Sequence, residues 1–230
     1  MSNSVTQTTF DCLIFDLDGT LIDTAPDMAA ALVSVCHTES VEPPPYEAMR
    51  ATVSHGGIAL LRLAFGDIGE ADTERLLQLF LSVYEKRLAL ESRLFAGMPE
   101  ILDAMDQAEK PWGIVTNKPE RLSIDLVSAL DLGWRAGCVI GGDSLKVRKP
   151  HPEPLLHAAD VLAVDPAACI YVGDSDRDMI AGRAAGMATI AASWGYILPE
   201  DNIFDWPADR IIDDPDELLP LVGLPRTREP

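Results

Sequence analysis

The feature that most constrains this chain is a short apolar run that ends in two carboxylates. Cys12-Leu13-Ile14-Phe15 is followed at once by Asp16-Leu17-Asp18-Gly19-Thr20. A run of this length, apolar at every position and bounded by polar residues, fits a strand buried on both faces of a parallel sheet. Ligands of open α/β sheets bind beyond the carboxyl ends of the strands, which is where Asp16 and Asp18 stand. Two acids this close repel each other unless a cation or a shared proton lies between them. No lysine or arginine occurs between Phe10 and Arg50. A divalent metal answers the repulsion, and oxygen ligands favour Mg²⁺. Taken by itself, the segment also fits a turn with exposed acids, because Asp-Gly is a common turn pair.

Composition narrows the function classes. The 230 residues exceed the usual size of one domain, so one large α/β domain or a domain with an insert is expected. A hydrophobic content of 47% supplies a core. The net charge of −19 argues against nucleic acid and against anionic membrane surfaces, both of which require basic patches. An anionic substrate would have to be held by local cations or a metal, against the field of the whole protein. Cys12, Cys36, Cys138 and Cys169 are scattered with no Cys-x-x-Cys, which suits a reducing compartment. Met1 to Thr9 is polar, with no apolar stretch of a signal peptide, and no segment reaches about 18 uninterrupted apolar residues. A cytoplasmic protein, monomeric or homodimeric, is expected.

Beyond Thr20 the pattern turns helical. Thr24 reads as an N-cap, with Pro26 in the first turn and Asp27 three residues on, opening a helix to about His37. Pro43-Pro44-Pro45 ends that stretch, and helical periodicity continues from Tyr46 to about Glu91. Leu76, Leu77, Phe80, Leu81 and Tyr84 share one face. Residues 23–93 are therefore expected to form an all-helical cap domain, inserted into a core made of residues 1–22 and 94–230. Strands then alternate with helices: Trp112 to Val115, Cys138 to Ile140, Cys169 to Val172, Ala188 to Ala191, and Arg210 to Ile212. This rhythm predicts a doubly wound parallel sheet, the Rossmann-like α/β class.

Four connections carry polar groups at or after strand ends. They supply Asp16 and Asp18; Thr116 and Asn117; Arg148-Lys149-Pro150; and Asp174 and Asp178 around Gly173 and Ser175. Each has an ordinary structural explanation, as helix cap, solvated cation or first-turn acid. Together they form acids, a hydroxyl, an amide and a cation on one rim, the inventory of a Mg²⁺-assisted phosphoryl-transfer site.

These motifs resemble those of the haloacid dehalogenase superfamily, in its phosphatase branch and phosphoglycolate phosphatase-like group. The resemblance spans most of the chain and places the helical block where that group carries a small cap. It implies that Asp16 attacks phosphorus to form an aspartyl phosphate and that Asp18 serves as acid, then base. It implies Mg²⁺ held by Asp16, the Asp18 backbone carbonyl and Asp174, with Asp178 supporting. Thr116, the Asn117 backbone and Lys149 would bind phosphoryl oxygens. An acid at position 18 favours oxygen leaving groups over halide. In the cap, Ser54-His55-Gly56-Gly57 departs from the Gly-Asn-Gly-like loop of phosphoglycolate phosphatases. His55 and Gly56 are candidates to contact the substrate, and Arg50 and Arg62 are candidate carboxylate readers. That loop, with Trp194-Gly195-Tyr196 and Trp206-Pro207-Ala208-Asp209, also resembles the N-acetylmuramic acid 6-phosphate phosphatases of cell-wall recycling. The expected partner is a small phosphorylated metabolite. A phosphosugar mutase and a non-catalytic binding protein are the competing classes, but no motif carboxylate is missing.

Overall fold

A computed structural model describes residues 9–227. The polar start read above as lacking a signal peptide lies outside the described residues, apart from Thr9. Strand β1 (Cys12–Phe15) is the centre of the fold. Its side chains alternate between faces, as the two-residue period of a strand requires. Leu13 and Phe15 join one hydrophobic cluster, while Cys12 and Ile14 join another on the opposite face. Both faces are covered, which is why the run is apolar at every position.

After β1 the chain passes through a two-residue strand, β2 (Ile22–Asp23), into helices α1 (Ala25–Thr38), α2 (Tyr46–Thr52), α3 (Gly56–Phe65) and α4 (Glu70–Arg87). It returns through β3 (Arg93–Leu94), which pairs antiparallel with β2. These two strands carry the chain out of the sheet layer and back. They are too short for periodicity to reveal. There follow α5 (Met98–Gln107), β4 (Trp112–Val115), α6 (Glu120–Ala129), β5 (Val139–Ile140), α7 (Glu153–Val161), β6 (Cys169–Gly173), α8 (Asp176–Ala184), β7 (Ala188–Ala192), β8 (Arg210–Ile212) and α9 (Leu218–Leu221).

The main sheet is parallel throughout, in the order β5-β4-β1-β6-β7-β8. The order runs outward in both directions from β1, so the crevice of this doubly wound sheet opens at the tip of β1. Asp16 is the next residue. The tips of the flanking strands β4 and β6 lead to Thr116 and Asp174.

The four cap helices bury their own cluster, including Leu32, Leu60, Leu76, Phe80 and Tyr84. Leu122 of α6 and Tyr196 also belong to it, which packs the cap against the sheet layer. The start of α1 differs from expectation. Thr24 does not cap the helix with its side chain; its hydroxyl donates to Asp18 Oδ1 at 2.6 Å. Asp27 is fully buried and accepts from the Ser92 N–H at 2.9 Å and its hydroxyl at 2.7 Å. Tertiary partners took both groups from the local capping role. No helix among the described residues is long and apolar enough to cross a membrane.

Candidate active site

Asp16, Asp174 and Asp178 are all buried, and each offers a carboxylate oxygen within 4.8 Å of the others. Lys149 is 3% exposed and reaches Asp16 at 2.9 Å and Asp178 at 2.7 Å. Its Nζ also donates to the Tyr171 hydroxyl at 2.8 Å. Burial opposes the lysine's charge, but Asp16 and Asp178 outweigh it and hold the pKa above the ordinary lysine value. The acids are less fully compensated. Burial, offset in part by Lys149, lifts Asp16 to about 6, and burial with the fields of Asp16 and Asp178 lifts Asp174 to about 7.

The donors around Asp174 come from distant segments. Its Oδ2 accepts from the Tyr196 N–H at 2.8 Å and the Ser54 hydroxyl at 2.7 Å, and its Oδ1 from the Thr20 hydroxyl at 3.3 Å. The close approach depends on glycine: a Cβ at Gly19, where φ is +84°, would fall 2.0 Å from Asp174 Oδ2. Ser54 belongs to the cap, so a cap hydroxyl contacts a carboxylate of the cluster. Arg177 holds the same loop, donating to the Ser54 carbonyl at 2.8 Å.

The site fits a divalent cation. Three carboxylates face one ammonium, and Asp178 Oδ2 is buried with no hydrogen-bond partner among the described residues. An all-oxygen donor set suits a hard cation. Because Asp16 and Asp174 titrate above their unfolded value near 3.8, the metal-free folded state binds more protons than the unfolded chain up to about pH 7. Stability of the metal-free protein therefore falls as pH rises through that window. Thermal unfolding in chelator should show a lower Tm at about pH 8 than at about pH 5, recovered at the higher pH by a divalent cation. A Tm independent of both would refute the charge imbalance.

Asp18 stands apart from this cluster. Its carboxylate accepts from Lys118 Nζ at 3.0 and 3.2 Å and from Thr24, while its carbonyl accepts from Ser54 at 3.3 Å. Lys118 is itself buried and lies 4.5 Å from the ring centroid of Tyr84. Thr116 is buried, its hydroxyl accepting from the Lys118 N–H at 3.2 Å. The Asn117 side chain donates to the Lys149 carbonyl at 3.0 Å. A cavity of about 760 Å³ is lined by Asp16, Asp18, Thr116, Asn117 and Lys149 from the sheet layer. From the cap, its lining includes His55, Gly56, Arg62 and the α4 face of Leu77, Phe80, Leu81 and Tyr84.

The haloacid dehalogenase-like hydrolase family matches this chain over residues 13–192. The chain belongs to that family. Among curated members, the phosphoglycolate phosphatase of Xanthomonas campestris pv. campestris is 44% identical over 216 residues, covering 93% of this chain and 97% of the relative. The N-acetylmuramic acid 6-phosphate phosphatase of Pseudomonas aeruginosa is 39% identical over 211 residues, 91% of this chain and 93% of the relative. The crystal structure of a predicted phosphoglycolate phosphatase from Haemophilus somnus has a TM-score of 0.80 at 27% identity, covering 90% of this chain and 95% of that one. The doubly wound fold expected from the strand alternation and the haloacid dehalogenase-like family expected from the motifs are thereby shown, and the chain is a hydrolase of that family.

Of the residues singled out from the sequence, Asp16, Asp174, Asp178 and Lys149 come together in one buried cluster. Arg50 does not reach the cavity as a free reader of carboxylates. It is bound to Asp23 at 2.7 Å, with its guanidinium 4.8 Å from the Tyr196 ring centroid. Lys118, Tyr196 and the Ser54 hydroxyl were not assigned contacts from the sequence. Lys118 directly follows Thr116-Asn117, which was a usable signal; nothing local points Tyr196 at Asp174.

Proposed function

We propose that this hydrolase is a Mg²⁺-dependent, phosphoglycolate phosphatase-like enzyme that acts on a small phosphate monoester through an aspartyl phosphate on Asp16. The observation that carries the reading is the buried Asp16 carboxylate at the tip of β1, 2.9 Å from Lys149 and grouped with Asp174 and Asp178. The names of both curated relatives support it.

In the proposed reaction an Asp16 oxygen attacks phosphorus and the P–O bond to the leaving group breaks. Asp18 gives its proton to the departing oxygen. It then takes a proton from the water that attacks the aspartyl phosphate, releasing phosphate and regenerating Asp16. Splitting one displacement into two is the advantage of covalent catalysis. Thr116, the Asn117 backbone and Lys149 hold the phosphoryl oxygens. A carboxylate and a phosphate at about 4 Å repel by roughly 4 kcal/mol per unit charge pair at an effective dielectric near 20. Lys149 offsets part of that repulsion, and Mg²⁺, held by Asp16, the Asp18 carbonyl and Asp174 with Asp178 in support, would supply the remaining positive charge. Lys118 and Thr24 orient the Asp18 carboxylate. The domain division proposed here, with a cap of residues 23–93, lets the α4 face exclude water from the site.

One observation favours the second substrate reading, an N-acetylmuramic acid 6-phosphate phosphatase. The cavity, at about 760 Å³, falls among those that accommodate drug-sized ligands and is generous for a two-carbon acid. The deciding experiment compares kcat/KM for phosphoglycolate, N-acetylmuramic acid 6-phosphate and simple hexose phosphates with Mg²⁺ present. A preference of about tenfold or more, roughly 1.4 kcal/mol, names the substrate. Interconversion of hexose phosphates without net phosphate release would identify a mutase instead, and no turnover of any member would leave a binding protein.

A further inference from the structure

Ser54 reaches the carboxylate cluster from the cap, and both its side chain and its backbone are fastened there. Its hydroxyl lies 2.7 Å from Asp174 Oδ2 and 3.3 Å from the Asp18 carbonyl oxygen. Its own carbonyl accepts from Arg177 of α8 at 2.8 Å. The neighbours along the chain anchor the same loop to the cap. Val53 is buried in the cap's hydrophobic cluster, and Gly56, at φ +84°, turns the chain into α3. Loop 53–57 therefore ties the cap to the sheet layer.

The two oxygens that the Ser54 hydroxyl meets are two of the three assigned above to a divalent cation. They come from the tips of β1 and β6, and Ser54 spans them from 36 and 120 residues away. The packing leaves room for this contact. A Cβ at Gly19 would fall 2.8 Å from Ser54 Oγ as well as 2.0 Å from Asp174 Oδ2, so any side chain there would force the pair apart. The other donors to Asp174, the Tyr196 N–H and the Thr20 hydroxyl, belong to residues outside the cap. A donor bonded to a ligating carboxylate fixes the orientation it presents to the metal. Here that donor is lost whenever the loop leaves its seat. Linkage requires the converse, that a cation holding Asp174 in place also holds the loop.

We infer that Ser54 is a positioning residue of the cation site, through which divalent-cation binding and the seating of loop 53–57 on the sheet layer favour each other. The inference rests on the phosphatase reading for the assignment of Asp174 and the Asp18 carbonyl as ligands. It adds to that reading a regulation of the site: full cation affinity requires a seated cap loop.

The test is titration calorimetry of Mg²⁺ into the full-length protein without substrate, with thermal unfolding in chelator to verify that each variant is folded. Ser54→Ala should bind Mg²⁺ about 10- to 100-fold more weakly than the parent. Arg177→Gln supplies an independent arm, because it alters no proposed ligand. By charge alone, removing a nearby cation would tighten Mg²⁺ binding. Loss of the clamp on the Ser54 carbonyl should instead weaken it, by about 5-fold or more. Hydrogen exchange reads the reciprocal effect: saturating Mg²⁺ should slow the amides of residues 53–57 in the parent and do so less in Ser54→Ala. A Ser54→Ala affinity within about twofold of the parent's, or tighter, would overturn the coupling. So would tighter binding by Arg177→Gln, or loop exchange indifferent to Mg²⁺ in the parent. A parent that binds no Mg²⁺ would remove the metal from the phosphatase reading itself. A parent that binds Mg²⁺ and hydrolyses p-nitrophenyl phosphate, beside an unchanged Ser54→Ala affinity, would keep that reading and end the role of Ser54 alone.

Discussion

Asp16→Asn abolishes turnover of p-nitrophenyl phosphate, by at least about 10⁴-fold, while leaving the protein folded. A nucleophile acts as part of a unit, and losing it costs nearly as much as losing the whole arrangement. The substitution keeps the side chain's shape and one carbonyl oxygen. It removes one of the buried negative charges that face each other around Lys149. The fold should therefore survive with an unchanged circular dichroism spectrum and a Tm near that of the parent. The decisive measurement is steady-state phosphate release with Mg²⁺ present, paired with thermal unfolding of the same sample. Retained turnover in a folded variant would show that the phosphoryl group is never carried by Asp16.

Lys149→Met should damage stability and activity together. Lys149 is the only described cation within ion-pair distance of Asp16 and Asp178, and removing it leaves buried acids facing one another. Breaking a buried pair by deleting one partner costs about 3–5 kcal/mol. For a chain of this size that corresponds to a fall in Tm of roughly 6–20 °C. The loss should be smaller near pH 5, where Asp16 and Asp174 are protonated, than near pH 8, because their pKa values lie at about 6 and about 7. Catalysis should fall by about 10²–10³-fold, the usual cost of losing one donor that stabilises developing charge. Lys86→Met is the matched control. Lys86 is exposed on α4 with no ion pair among the described residues, so its loss should change stability by no more than about 0.5 kcal/mol. Equal effects of the two substitutions would contradict the view that Lys149 compensates the acids.

The sequence was legible wherever the physics is local. A strand buried on both faces must be apolar throughout, so β1, β4 and β6 were visible as short runs, and their first polar successors were visible as site candidates. Helical spacing made the α4 face readable, and Leu76, Phe80 and Tyr84 are indeed buried there. The paired strands β2 and β3 were invisible, because each is two residues long and one of the two is charged, so no apolar run marks it as one marks β5.

The sequence by itself determined the alternation of strands and helices, the helical interruption after β1, and the identity of the acids and cations at the strand ends. Only the tertiary structure decided which of those groups answer one another. Lys118 meets Asp18 across 100 residues and Ser54 meets Asp174 across 120, while Arg50 is taken by Asp23 and Asp27 by Ser92. Periodicity and capping are set by a residue's near neighbours along the chain. The partner of a buried charge is whichever opposite or donating group the packed layers bring within about 3 Å, and burial makes leaving it unpaired too costly to tolerate.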